Sequence, residues 1–294
     1  MKILILKKFF AAIIIPAVLC ASCSNDDGPK NPAEALSITI KADGSTSNGA
    51  KFSPASNDSF YLDYVLYQIV DSHLEVIGCD KSEIKGDIKI YSPINYLGVS
   101  YNVRKINQQA FYKCEKITNI NLPDCIQDIG YLAFAYCRNL ISINLPTELE
   151  FIPDGCFRNC SNIIQITIPQ NISSIGVCAF YECGELGDLT IPSSCEDIYN
   201  HAFGYCKFNK VLIENGVEYI YWRAFYHCDI EEITLPKTLQ YIEDRRYVEW
   251  LTKGIFTESN INKLTAYFYQ SYWKDNQISE FLGYDYNIKE LIIY

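Results

Sequence analysis

Six cysteines, Cys114, Cys137, Cys160, Cys183, Cys206 and Cys228, recur at intervals of 23, 23, 23, 23 and 22 residues. Thiols can hold zinc, act as nucleophiles or pair as disulfides, and each chemistry sets its own spacing. Zinc sites take Cys or Cys/His ligands a few residues apart, and the sequence has no C-x-x-C or Cys/His cluster of that kind. A nucleophilic thiol needs a base and a third group to orient it. The chain has three histidines, and none completes such a set. His227 precedes Cys228, but neighbours on a turn face different ways; His201 falls where the flanking repeats carry Cys178 and Arg223, and His73 lies before the repeats. Phosphate-binding glycine loops, G-x-S-x-G and H-E-x-x-H are absent from the sequence. The chain therefore reads as non-enzymatic, with no catalytic residue, metal or cofactor. Disulfides are geometrically open, since equivalent residues of adjacent coils lie about 5 Å apart. Parallel side chains at a position suited to a small buried hydrophobe favour packed free thiols, with some disulfides as the alternative. Cys125, Cys156, Cys178 and Cys195 occupy other places in the coil, and Cys79 precedes the first full repeat.

The elements that position these cysteines are themselves periodic. Each cysteine closes a phrase of the form Ala-Phe-x-x-Cys, as in Ala133-Phe134 to Cys137 and Ala179-Phe180 to Cys183. A strand pattern follows, seen in Leu140 to Pro146, Ile163 to Pro169 and Ile230 to Pro236, with inward residues at the L-x-x-L-x-L positions. Pro123, Pro146, Pro169, Pro192 and Pro236 end the strands, where a missing N–H is tolerated. A second inward column runs through Ile106, Ile129, Ile152, Ile175, Ile198, Ile220 and Ile242. Phe111, Phe134, Phe157, Phe180, Phe203 and Phe225 come five residues after the first six of these. The strand template extends weakly to Ile84–Ile90, Ile261–Ala266 and Ile288–Ile293, giving about nine stacked strands and a solenoid roughly 40 Å long. The fold expected is a β-rich leucine-rich-repeat solenoid of about 23-residue coils. Each coil has one short strand with turn or short helical segments, and an N-terminal β cap covers the first.

This phrase, Ile-x-x-x-Ala-Phe-x-x-Cys-x-x-Leu-x-x-Ile-x-Leu-Pro, closely resembles the BspA-type leucine-rich repeat family over roughly residues 84–294. The resemblance implies a bacterial or protozoan surface protein. Some members are linked to adhesion to host matrix proteins or to other bacteria, and function varies across the family.

The N-terminus supplies an address. Lys2, Lys7 and Lys8 precede an apolar run, Phe9 to Leu19, that is too short to span a bilayer and reads as a signal-peptide core. Ala21 and Ser22 before Cys23 resemble the lipobox of bacterial lipoproteins, in which the cysteine is lipidated, although Cys20 stands where leucine is usual. Asp26 and Asp27, just behind, are similar to a surface-export signal. The expected divisions are a signal peptide at 1–22, a flexible tether at 23–35, the β cap at 36–83 and the solenoid at 84–294. Residues 36–41, 61–70 and 73–77 read as strands, the last two joined around Asp71-Ser72, and 43–59 reads as a flexible loop. Localisation follows as outer membrane, lipid-anchored and exposed at the cell surface, with the lipid as the membrane attachment. Removing residues 1–22 takes three lysines and no acid, so 25 Lys+Arg become 22 against 35 Asp+Glu, a net charge of −13. That balance argues against nucleic acid as a partner.

Three surfaces remain for a protein or glycan partner. The outward strand positions form a neutral row from Asn121 and Asn144 to Thr265 and a mixed row from Asn119 to Lys263, both suited to cross-strand bonding. The x positions of the turn carry Tyr112, Tyr136, Tyr181, Tyr205 and Tyr226, rings that either cover an apolar rim or present an adhesive flank. Nine extra residues after Ile242 place Arg245, Tyr247 and Trp250 together, as an interaction loop or as a cover for the solenoid end. The candidate partner-binding residues are Tyr136, Tyr181, Tyr205, Tyr226, Arg245, Tyr247 and Trp250. The leading function is binding of a macromolecular surface partner, meaning adhesion to a host or bacterial surface protein. Glycan capture and a purely structural envelope role are the alternatives.

Overall fold

The computed structural model describes residues 37–56, 58–240, 254–266, 282 and 287–293. Cys23, the tether, Ile242 and the insertion carrying Arg245, Tyr247 and Trp250 lie outside the described residues.

Each coil has three sides. The L-x-x-L-x-L segments make a parallel ladder with Gly86–Lys89, Ile117–Asn121 and Ser142–Ile143 in one sheet. Gly184–Ile191, Cys206–Ile213, Asp229–Thr234, Asn260–Ala266 and Asn287–Ile293 form another. Residues 163–169, read from sequence as a strand, lie between the two sheets without a ladder of their own. There the Ile164 N–H reaches Ile141 O only at 3.4 Å, yet Ile163, Ile166 and Ile168 stay buried. Packing therefore holds that coil where ladder bonding is weak. The isoleucine column forms the second side as two-residue strands, Phe151–Ile152, Ser174–Ile175, Asp197–Ile198 and Tyr219–Ile220 among them.

The third side is the Ala-Phe-x-x-Cys segment, which is built of tandem turns rather than short helices. Alternate N–H groups divide the bonding. Those of Gln109, Phe111 and Lys113 donate to Tyr131, Ala133 and Ala135 carbonyls of the next coil, while those of Ala110, Tyr112 and Cys114 donate three residues back. Two left-handed residues per turn make this possible, such as Leu132 and Tyr136 (φ 54° and 63°) or His201 and Tyr205 (φ 55° and 60°). A continued right-handed helix is excluded by that alternation.

The core is a set of columns. Phe111, Phe134, Phe157, Phe180, Phe203 and Phe225 stack with centroids 5.2–5.5 Å apart. Beside them the cysteine thiols are more than packing units. Cys137, Cys160, Cys183, Cys206 and Cys228 each donate to a phenylalanine carbonyl of the preceding coil at 3.0–3.1 Å. Ser259 takes the same role in the next coil, its hydroxyl donating to Phe225 O at 2.6 Å. Burial holds the Cys183 and Cys228 thiols well above the usual thiol range.

The N-terminal region departs from the sequence reading in three places. The strand expected over 61–70 is two, Ser59–Leu62 and Val65–Val70. Asp63 and Tyr64 turn the chain between them at φ 47° and 67°, a tight hairpin geometry with both central residues left-handed. The loop expected at 43–59 contains the edge strand Phe52–Pro54, whose Phe52 ring packs 5.7 Å from Phe60. Within the first coil an unanticipated hairpin, Ile94–Tyr96 with Val99–Tyr101, pairs with Ile38–Ile40. The 73–77 strand is present as His73–Cys79; it pairs with Val65–Val70 on one edge and, in parallel, with Val103–Ile106 on the other. The N-terminal strands thus continue the second side of the solenoid.

Candidate functional site

The two x positions of each turn point away from the phenylalanine column, and their occupants decide what the turn side presents. Tyrosine alternates between them. Tyr112, Tyr181 and Tyr226 directly follow the phenylalanine; Tyr136 and Tyr205 directly precede the cysteine. Rings in neighbouring coils are therefore offset along the turn and meet edge to face, as quadrupoles prefer. Tyr181–Tyr205 and Tyr205–Tyr226 both lie 5.3 Å apart at 72° and 86°. Gly204 makes this possible, because a Cβ there would meet Tyr181 Cδ2 at 2.9 Å.

These three tyrosines form one cluster with residues that sequence reasoning did not join to them. His201 is its hub, its ring 4.9 Å from Trp222, 5.8 Å from Tyr226 and 6.2 Å from Tyr181. The Arg223 guanidinium lies 4.5 Å from both the Trp222 and the Tyr226 centroids, and that of Arg158 lies 5.1 Å from Tyr181. The His227 ring lies 4.7 Å from that of Tyr205, tilted by 47°, and approaches Glu258 at 3.5 Å. It faces outward while Cys228 is buried, so the two do not form a catalytic pair. Tyr136 belongs elsewhere. It meets Tyr112 at 5.5 Å beneath the Lys113 ammonium, and the Arg158 coil separates this pair from the larger cluster. The signal that could have found the cluster was the column Cys178, His201, Arg223, which runs beside the tyrosines.

Electrostatically the cluster sets the Arg158 and Arg223 guanidiniums among aromatic rings, with the Glu182 and Glu258 carboxylates beside Tyr181 and Tyr226. Burial lowers the His201 pKa, and Arg223 and Arg158 lower it further, so the ring is neutral at physiological pH. The Tyr226 hydroxyl is pushed up to about 12 by its hydrogen bond with Tyr205, then by desolvation and by Glu258, to which it donates at 3.1 Å. Arg158 Nε and Arg223 Nε are buried without a protein acceptor. Tyr205 remains 38% exposed.

Much of the strand side is bonded across its own coils. Asn144 exchanges two hydrogen bonds with the Leu122 backbone at 2.7 and 2.9 Å, and Ser142 Oγ donates to Asn119 at 2.7 Å. Towards the C-terminus, Asp188, Lys210, Glu232, Lys263 and Glu290 are successive cross-strand partners of alternating sign. Lys263 Nζ reaches Glu232 at 3.2 Å. Among the described residues no group of three or more His, Cys, Asp and Glu side chains is arranged to hold a metal.

Parallel coils, an inward leucine/isoleucine pattern and stacked phenylalanines define a leucine-rich-repeat solenoid. The model of the BspA type leucine-rich repeat region matches residues 89–210 and 196–284, in six copies, and the chain belongs to that family. It is similar to a leucine-rich repeat protein from Bacteroides ovatus, with 18% identity, 80% of this chain and 76% of that chain covered, and a TM-score of 0.48. A leucine-rich repeat protein of T. pallidum is 18% identical over 81% of this chain and 100% of its own, with a TM-score of 0.46. A leucine-rich cell surface protein from Faecalibacterium prausnitzii is 15% identical over 81% and 95%, with a TM-score of 0.26. No curated protein matches the chain.

Proposed function

We propose that the chain is a lipid-anchored surface protein that binds a protein partner through the turn side of its solenoid, centred on Tyr181, Tyr205 and Tyr226. The observation that carries the reading is the edge-to-face tyrosine chain, exposed at Tyr205 and half-exposed at Tyr181 and Tyr226, with Arg158, Trp222 and Arg223 set into it. Tyr, Trp and Arg are the residue types that dominate binding energy at protein interfaces. Here they stand on a backbone ladder, the Glu182 and Tyr205 N–H groups donating across coils at 2.8 Å, so little ordering is needed on binding. The family supports the same reading, since leucine-rich repeats generally act as non-enzymatic interaction scaffolds. Cys23 anchors the chain to the outer membrane in this account. The strands from Ile38 to Cys79 serve as the N-terminal cap, and Arg245, Tyr247 and Trp250 extend the binding surface.

The test compares the purified full chain with a Y181A/Y205A/Y226A variant on a panel of immobilised host-matrix and bacterial surface proteins and on a glycan array. A protein ligand whose affinity falls at least about tenfold in the variant is expected, the loss of roughly one hot-spot residue. Equal binding by both proteins would overturn the assignment of this surface. Hits confined to the glycan array would make the partner a glycan.

A further inference from the structure

The cysteine ladder is regular except at its first rung. Five of its thiols donate to a phenylalanine carbonyl of the coil before. Phe111 is the first phenylalanine of its column, so Cys114 has no such carbonyl beneath it. What stands there is Cys79, the last residue of strand His73–Cys79. The two Sγ atoms are 3.1 Å apart, closer than two non-bonded sulfurs rest without a hydrogen bond between them. We propose that Cys79 and Cys114 are the site of a disulfide that covalently joins the N-terminal strands to the first coil, while the other ladder thiols stay reduced.

Access sets the order of the two steps. Cys79 is half-buried and Cys114 is buried, so an incoming disulfide oxidant meets Cys79 first. The Cys79 sulfur, giving up its proton, attacks one sulfur of RS–SR and expels RS⁻, which takes that proton. Cys114 then attacks the Cys79 sulfur of the mixed disulfide and expels the second RS⁻, which takes the Cys114 proton. Two thiols and RS–SR thereby become one protein disulfide and two RSH. In the dithiol, the hydrogen bond from Cys79 and then Lys81 hold the Cys114 thiol below the usual thiol range, while the same contact and burial push the Cys79 thiol up. Once Cys79 is in the mixed disulfide that hydrogen bond is gone, and Lys81 remains to favour the Cys114 thiolate as the second nucleophile. Closing 3.1 Å to a covalent S–S of about 2.05 Å asks for a movement of roughly 1 Å. The buried rungs offer no comparable pair, because each of their S–H groups is already directed at a carbonyl.

The position gives the bond a structural use. The N-terminal strands join the first coil where Ile38 to Ile40 pair with Ile94 to Tyr96 and where Leu74 to Val76 pair with Val103 to Ile106. The Cys79–Cys114 bond would fasten the end of that same strand to the first turn. Nothing in the inference depends on the partner-binding reading.

The test uses the full chain, equilibrated with glutathione disulfide, alkylated in denaturant without reduction, and mapped by mass spectrometry of its peptides. The expected result is a single linked pair, Cys79 with Cys114, with Cys137, Cys160, Cys183, Cys206 and Cys228 alkylated. Reductant should lower Tm by about 5–10 °C, and C79S or C114S should abolish that dependence. Alkylation or glutathione adducts at both Cys79 and Cys114, or a linkage mapped to another pair, would overturn the proposal. Should either variant fail to fold, the wild-type peptide map decides alone.

Discussion

Phe180 and Tyr181 are adjacent in sequence and opposite in role, and replacing each by alanine tests the inside–outside assignment of every turn. Phe180 is fully buried, with Phe157 at 5.3 Å on one side and Phe203 at 5.2 Å on the other. Truncating a buried phenylalanine costs about 3–5 kcal/mol through lost transfer energy and the cavity left behind. Two aromatic contacts are lost at once, each contributing about 0.5–1.5 kcal/mol beyond area. The rigid backbone ladder on either side also limits collapse, so Phe180→Ala belongs at the upper end, about 4–5 kcal/mol. Tyr181 is half-exposed, touching Tyr205 and the Arg158 guanidinium; its removal costs about 1 kcal/mol or less by the usual scale for surface contacts. Urea unfolding followed by far-UV circular dichroism reads both. With a urea slope of about 3 kcal/mol/M, the Phe180→Ala midpoint falls by roughly 1.5 M and that of Tyr181→Ala by at most a few tenths. An unchanged slope is needed, because a solenoid that unfolds coil by coil would distort the comparison. Equal losses from the two variants, or less than about 1.5 kcal/mol from Phe180→Ala, would refute the assignment.

Three further outcomes are expected. Cys183→Ser keeps the donor to Phe157 O, as Ser259 does towards Phe225, and should cost less than Cys183→Ala, which loses about 1–2 kcal/mol in the same urea titration. The Cys183 and Cys228 thiols, raised well above their usual pKa by burial, should resist thiol reagents in the native protein and react on unfolding, as read by mass spectrometry. His201 has a lowered folded pKa, so the unfolded chain binds a proton that the folded chain refuses. Stability is therefore full above the unfolded value of about 6.5 and declines as pH falls below it; His201→Gln should flatten that decline in thermal melts between neutral and mildly acidic pH.

The sequence made the interior legible because period and burial act together. A coil of 23 residues leaves one choice of inward register, and so Ile120, Ile143, Leu189 and Val211 fell into one column, and Phe134, Phe157 and Phe180 into another. Outward positions carry no such constraint. Whether a tyrosine directly follows the phenylalanine or directly precedes the cysteine makes no difference to the core. It does decide whether Tyr181, Tyr205 and Tyr226 meet edge to face. For the same reason Tyr136 was grouped with residues it does not touch, and His201, Trp222 and Arg223 were left out. The thiol donors were hidden because cysteine is both a small apolar filler and a weak donor, and only the carbonyl beside it distinguishes the roles. The first-coil hairpin had left a trace. Ile88 to Ile106 is 18 residues where Ile120 to Ile129 and its counterparts are nine, and such an excess must leave the ladder.

The central claim is that the turn side, rather than the strand side, meets the partner. The direct measurement is site-specific photo-crosslinking with the full chain presented to target cells, a photoreactive residue replacing either Tyr205 on the turn side or Gln165 on the strand side. The account predicts a discrete protein adduct from position 205 that is competed by unlabelled wild-type chain, and none from position 165. Adducts from position 165 alone, or from neither position, would contradict it.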